Sequence, residues 1–155
     1  MVKRSGQGLA NYLKKLAPES TGAHVKVGVL ENSKYPDGTP VPLVAFWNEY
    51  GTRTAPPRPF FRDTIEQNKK NWSEKVVSDA KKGLNVTQIL GSVGLLMQTN
   101  IQTAIMTWEN PPNSPNTIRK PNNNSPSNMK KKPNNSPLRH TMLLYDSIKS
   151  EVVEE

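Results

Sequence analysis

The chain has 155 residues, 34% of them apolar, with 21 bases against 13 acids, a net charge of +8 and no cysteine. That length allows one domain with a modest core and leaves part of a proline- and asparagine-rich chain outside it. The cysteine count excludes disulfides and thiolate metal sites and suits assembly in a reducing cytoplasm, and the basic excess favours an acidic partner surface or nucleic acid. Met1-Val2-Lys3-Arg4 carries charge but no apolar run follows, so no signal peptide is expected.

Ser5 to Leu16 reads as a helix, with Leu9, Tyr12, Leu13 and Leu16 on one face and Pro18 as its stop. Ala23 to Glu31 alternates, with Val25, Val27 and Val29 pointing one way, as a half-buried strand does. A polar loop follows, with a tight turn at Pro36-Asp37-Gly38. Leu43, Phe46, Trp47 and Tyr50 stand at i, i+3, i+4, i+7, which places them on one face of a short helix. Pro40 and Pro42 fall at its start and Gly51 at its end. Pro56, Pro57 and Pro59 then stiffen the segment from Thr52 to Pro59 into a strut, because proline fixes φ and biases its predecessor to extended backbone.

A long helix is expected from Phe60 to Lys82, with Ile65, Trp72, Val76 and Ala80 as its apolar stripe. Its solvent side is crowded with lysines, offset by Glu66, Glu74 and Asp79. Gly83 terminates it, and Asn85 caps the next helix, Val86 to Trp108. These 23 residues carry no charge. A membrane span is disfavoured by Gln88, Gln98, Asn100 and Gln102, leaving a core helix or one packed on copies of itself with amides paired across subunits. Gly91 and Gly94 inside this pattern point to close helix packing. Pro111 to Pro137 holds seven prolines, eight asparagines, Arg119, Lys120, Lys130, Lys131 and Lys132, and no acid. Such a segment buries too little to offset its ordering entropy and is expected to lie along another chain. A short helix over Pro137–Ile148 and a strand over Ile148–Val153 close the chain.

Catalysis finds little support. Neither His24 nor His140 is spaced with a carboxylate that would orient it, and Glu151, Glu154 and Glu155 read as a solvated tail. No cofactor or metal site is expected. Two readings stand for Glu49 with Arg53, Arg58 and Arg62. One is a local ion pair; the other is a brace that sets the strut so that Phe60 and Phe61 anchor in a neighbour. The basic segment likewise reads as an arm on an acidic protein, or as a contact to DNA phosphates without base readout. An alternative function is therefore a basic DNA-binding module used in packaging or regulation.

Asn48-Glu49-Tyr50-Gly51-Thr52, followed by Pro57-Arg58-Pro59-Phe60-Phe61-Arg62, resembles the signature of the tail-completion (neck) proteins of long-tailed bacteriophages, N-E-[FY]-G-T and P-x-R-P-F-[FL]-R. The Val25–Glu31 strand, the Tyr35–Thr39 turn and an echo at Asn113–Lys120 also fit. So does the end of the chain, which is similar to the family's P-L-x-x-T-G-x-L-x-x-S-I with Met142 in place of the glycine. The resemblance implies a non-enzymatic structural virion protein at the head–tail junction, assembled in the host cytoplasm as a homo-oligomer, a ring of six. Its neighbours would be head-closure or adaptor proteins and a tail terminator or tail tube, with DNA contact confined to the channel and no membrane.

The expected fold is α+β: a small antiparallel sheet from Ala23–Glu31 and Ile148–Val153, with room for a third strand, on two long helices. Residues 1–110 and 138–155 form the folded part of a single domain, and 111–137 the arm. The expected partner-contacting residues are Glu49, Tyr50, Arg53, Arg58, Pro59, Phe60, Phe61 and Arg62 in the strut region, with Arg119, Lys120, Lys130, Lys131 and Lys132 in the arm.

Overall fold

A computed structural model describes residues 11, 22–29, 33–113, 137–138 and 142–154. Apart from Asn11, which is helical, the helix expected over Ser5–Leu16 lies outside the described residues, as do His140 and the arm bases Arg119, Lys120, Lys130, Lys131 and Lys132. In chain order the elements are β1 (His24–Val29), α1 (Val41–Tyr50), α2 (Phe60–Lys81), α3 (Val86–Thr107), a single turn α4 (Leu143–Asp146) and β2 (Ile148–Val153). The fold is α+β, with β1 and β2 antiparallel in a two-stranded sheet, His24 opposite Val153 and Val29 opposite Ile148. Among the described residues no third strand joins them; Lys34 and Pro40 make only an isolated bridge.

α2 and α3 form a hairpin, and the sheet lies on α3. Its turn follows from local chemistry. The Gly83 N–H donates to Ala80 O and the Leu84 N–H to Asp79 O, closing α2. Asn85 and Gln88 then cap each other reciprocally: the Gln88 N–H donates to Asn85 Oδ1 at 2.9 Å, and the Asn85 N–H to Gln88 Oε1 at 3.1 Å. Gly94 is what lets the sheet sit so close. A Cβ there would lie 2.6 Å from Val25 Cγ2 and 3.3 Å from Ser150 Cβ.

Two apolar clusters result. The larger gathers Val41, Ala45, Phe60, Ile101, Ile105, Leu138, Leu144 and Ile148, with Val27 and Val29 of the sheet packed against it. The smaller, toward the hairpin turn, holds Trp72, Ala80, Ile89 and Val93. Three amides of α3 bond to other elements of the same chain. Trp72 Nε1 donates to Asn100 Oδ1, Ser150 Oγ to Gln98 Oε1, and Gln102 Nε2 to the carbonyls of Tyr145 and Ile148. Their role is to fasten β2 and α2 onto α3, because a buried amide without a partner would be costly.

Two residues of α2 depart from the expected pattern. Ile65, expected in the apolar stripe, is 47% exposed, and Asp79, expected on the solvent side, is buried at 1%. The buried line runs through Phe60, Thr64 and Trp72 in steps of four and eight, so Ile65 is turned away from it. Thr64 can take the inner place because its hydroxyl donates to Phe60 O at 2.6 Å.

Candidate functional site

Glu49, at the end of α1, is 4% exposed, and its carboxylate lies at the N-terminus of α2. Its Oε2 accepts the Phe61 N–H at 3.0 Å and its Oε1 accepts the Arg62 N–H at 3.1 Å. The first N–H groups of a helix have no partner within it, and the residue preceding α2, Pro59, makes no side-chain cap. Glu49 therefore caps a helix that begins eleven residues after it, and its charge suits the positive end of that helix. Arg62 returns the contact. Its Nε donates to Glu49 Oε1 and its Nη2 to the Glu49 main-chain oxygen, both at 2.8 Å. The Glu49 hydrogen bond holds the Arg62 guanidinium still more firmly protonated than usual.

The intervening strut is fastened at three further points. Thr52 Oγ1 accepts from the N–H groups of Thr54 and Ala55, and the Thr52 N–H donates to Ala55 O. The Arg58 N–H donates to Asn48 O. Gly51 sits at φ 78°, where a Cβ would lie 2.9 Å from Pro57 N and 3.0 Å from Ala55 O, so both conformation and space require glycine. Arg58, 7% exposed, uses its side chain on the start of the arm: Nε donates to Pro111 O at 3.1 Å and Nη2 to Pro112 O at 3.0 Å. Burial lowers its pKa, yet guanidinium stays charged in proteins, and these carbonyls satisfy it.

This geometry corrects the expected anchor. Phe60 is fully buried in the main cluster, and Phe61 is half-buried with its ring 4.7 Å from that of Phe60. The strut aims the pair inward, so Phe60 is not presented to a neighbour. Glu49 and Arg58 are likewise consumed inside the chain, and Glu49 pairs with Arg62 rather than Arg53 or Arg58. Pro59 is half-buried at the start of α2. Of the expected contact residues in this region, Tyr50, Arg53 and Arg62 are exposed.

No family model, curated protein or solved structure matches this chain.

What faces outward instead is α1 itself. Leu43, Phe46, Trp47 and Tyr50 are 40%, 57%, 42% and 56% exposed, on the side opposite Val41, Ala45 and Glu49. Phe46 and Tyr50 stack with centroids 4.7 Å apart, and the Arg62 guanidinium lies 4.8 Å from the Tyr50 ring centroid. The spacing that groups Leu43, Phe46 and Trp47 with Tyr50 is visible in the sequence. Its outward direction is not, because Val41 and Ala45 form a second apolar line, and it is this line that joins Phe60 and Ile105 in the main cluster. Among the described residues no helix is long and apolar enough to cross a membrane.

Proposed function

We propose that this chain is a structural assembly protein that uses the outer face of α1 to pack against copies of itself in a closed ring. In line with the resemblance, we place that ring in the neck of a tailed bacteriophage virion, as a tail-completion component joining tail to head. One observation carries the reading: a face of four large apolar side chains held rigidly by a clamp built from both halves of the signature. Asn48, Glu49 and Gly51 come from the first half, and Arg58, Phe60, Phe61 and Arg62 from the second. A motif devoted to holding a helix face, with no catalytic group in it, suits a part that must present one surface reproducibly.

The size of the face favours a ring over an isolated pair. At those exposures the four side chains offer roughly 400 Å² of apolar surface. A stable two-body interface needs about 800 Å² per partner. Small contacts repeated around a closed ring reinforce one another.

The test is the double variant F46S/W47S, read by sedimentation velocity and circular dichroism. The native chain is expected to form a discrete oligomer, and the variant to keep its helical signal while sedimenting as a monomer and failing to enter particles. A native chain that stays monomeric at all concentrations, or a variant that assembles normally, would overturn the proposal. Tight DNA binding that weakens steeply with salt would support the basic DNA-binding reading in its place.

A further inference from the structure

A ring of identical chains closed by one kind of contact needs two different surfaces on each chain, because a face that meets its own copy gives a pair and stops there. The outer face of α1 is one such surface, and the one charge of that helix, Glu49, is turned inward. Its complement must be uncharged too, because an ion buried against apolar side chains without a partner is costly. Outside α1, the strongly exposed large apolar side chains among the described residues are Ile65 and Leu95. Ile65 stands on α2 with Arg62 three positions before it and Lys69 four positions after, both exposed, so covering it would bury cations. Leu95, 59% exposed, stands on α3, whose 22 residues carry no charge.

We infer that the outer face of α1 on one copy seats on the Gly91–Leu95–Thr99 face of α3 on the next. This rests on the assembly reading and adds to it the surface that receives α1. From Leu95 the exposed line continues through Thr99, Thr103 and Thr107 in steps of four. Their hydroxyls donate one turn back, Thr99 Oγ1 to Leu95 O and Thr103 Oγ1 to Thr99 O at 2.8 Å, and Thr107 Oγ1 to Thr103 O at 2.9 Å. A partner can therefore cover these threonines without orphaning a donor.

One turn before Leu95 is Gly91, where a Cβ would meet nothing within 4 Å. The approach of the sheet accounts for Gly94, but among the described residues nothing uses the room at Gly91, and alanine would serve the helix better. A helix without a side chain at that point admits a bulky group from outside, and Phe46 and Trp47 are such groups. The directions of the two faces agree with a head-to-tail contact. Thr103 stands about 160° around α3 from Ile101 and from Ile105, at 3.6 residues per turn. Ile101 and Ile105 face the main cluster, which Val41 and Ala45 enter from α1. The outer face of α1 is turned away from that cluster as well, so the two uncharged faces look out on different sides of the molecule.

The chain has no cysteine, so introduced thiols are unique. Leu43→Cys is made in one full-length chain and Thr99→Cys in a second that carries a mass-shifting tag; both positions are exposed. The two are mixed, allowed to exchange and treated with a short bis-maleimide. Linked dimers containing one chain of each kind are expected from the mixture, and none from either variant alone. Self-linking by either variant would mean that like faces meet, and would overturn this inference while leaving an assembly through α1 in place. An oligomeric native chain with no link in the mixture would likewise overturn this inference alone, whereas a native chain that sediments as a monomer removes both. As a second measurement, Leu95→Lys is expected to keep its helical circular dichroism and to lose the oligomer in sedimentation; normal assembly of that variant would overturn the inference.

Discussion

Met142 holds a left-handed backbone, φ 61° and ψ −6°, at the position immediately before α4. A side chain in that conformation costs on the order of 1–2 kcal/mol, and glycine avoids it. Glycine is therefore the natural occupant of such a backbone. Met142→Gly is accordingly expected to stabilise the protein by about 1 kcal/mol, since removing a half-buried methionine side chain cancels part of the relief. A urea titration checks this; unchanged or lower stability would mean that the side chain's packing outweighs the strain. Single residues with local chemistry, such as Asn85 and Gly83, are legible in the sequence because their partners are three or four positions away. Glu49 is half legible. Its brace with Arg62 follows from charge, but its capping of α2 depends on a tertiary approach that spacing does not encode.

At the scale of elements, α3 is the spine, with α2 on one side and the sheet on another. The approach of β1 depends on Gly94, which the sequence marks as a packing glycine without saying what packs there. Gly94→Ala is expected to cost about 1–3 kcal/mol, because Val25 is β-branched and has little freedom to move aside. In a double-mutant cycle with Val25→Ala, a clear share of that loss should be recovered; purely additive costs would place the strain elsewhere. The strands and long helices are readable because their periods are strong and their lengths sufficient. The orientation of α1 is not, because a helix with two apolar lines can turn either inward and only tertiary packing in the cluster around Phe60 decides. Ile65 misleads for a related reason: composition favours it, while Thr64 satisfies its own hydroxyl and takes the inner position.

Taken as a whole, the molecule is held at two centres, and the smaller one depends on pH. Asp79 is buried beside it, accepting from Lys75 Nζ and from Ser92 Oγ at 2.7 Å, with Lys82 Nζ at 3.6 Å. The lysine contact, then the serine, holds its carboxyl below the ordinary value of 3.8. A depressed folded-state pKa means that the unfolded chain binds the proton first. The stabilisation is therefore complete above about pH 4 and is lost as pH falls through the lower folded value. Unfolding free energy measured from about pH 6 to about pH 2 should show this acid limb, and Asp79→Asn should lower stability near neutrality and flatten the limb. An unaltered limb in the variant would assign it to other carboxylates. In the sequence Asp79 looks like one more acid among solvent-facing lysines; only the turn at Gly83, which brings Ser92 back against it, gives it an interior role.

The sheet pairs His24 with Val153 and so joins segments separated by the whole helical part of the fold. While a growing chain is tethered, the helical hairpin stands with its Gly94 side bare, and no local pairing can cover it. Closure over Gly94 therefore waits for β2, the only strand that pairs with β1 among the described residues. The two segments farthest apart among the described elements are thus the pair that covers the hairpin, and removing β2 would leave β1 without a partner strand among the described residues.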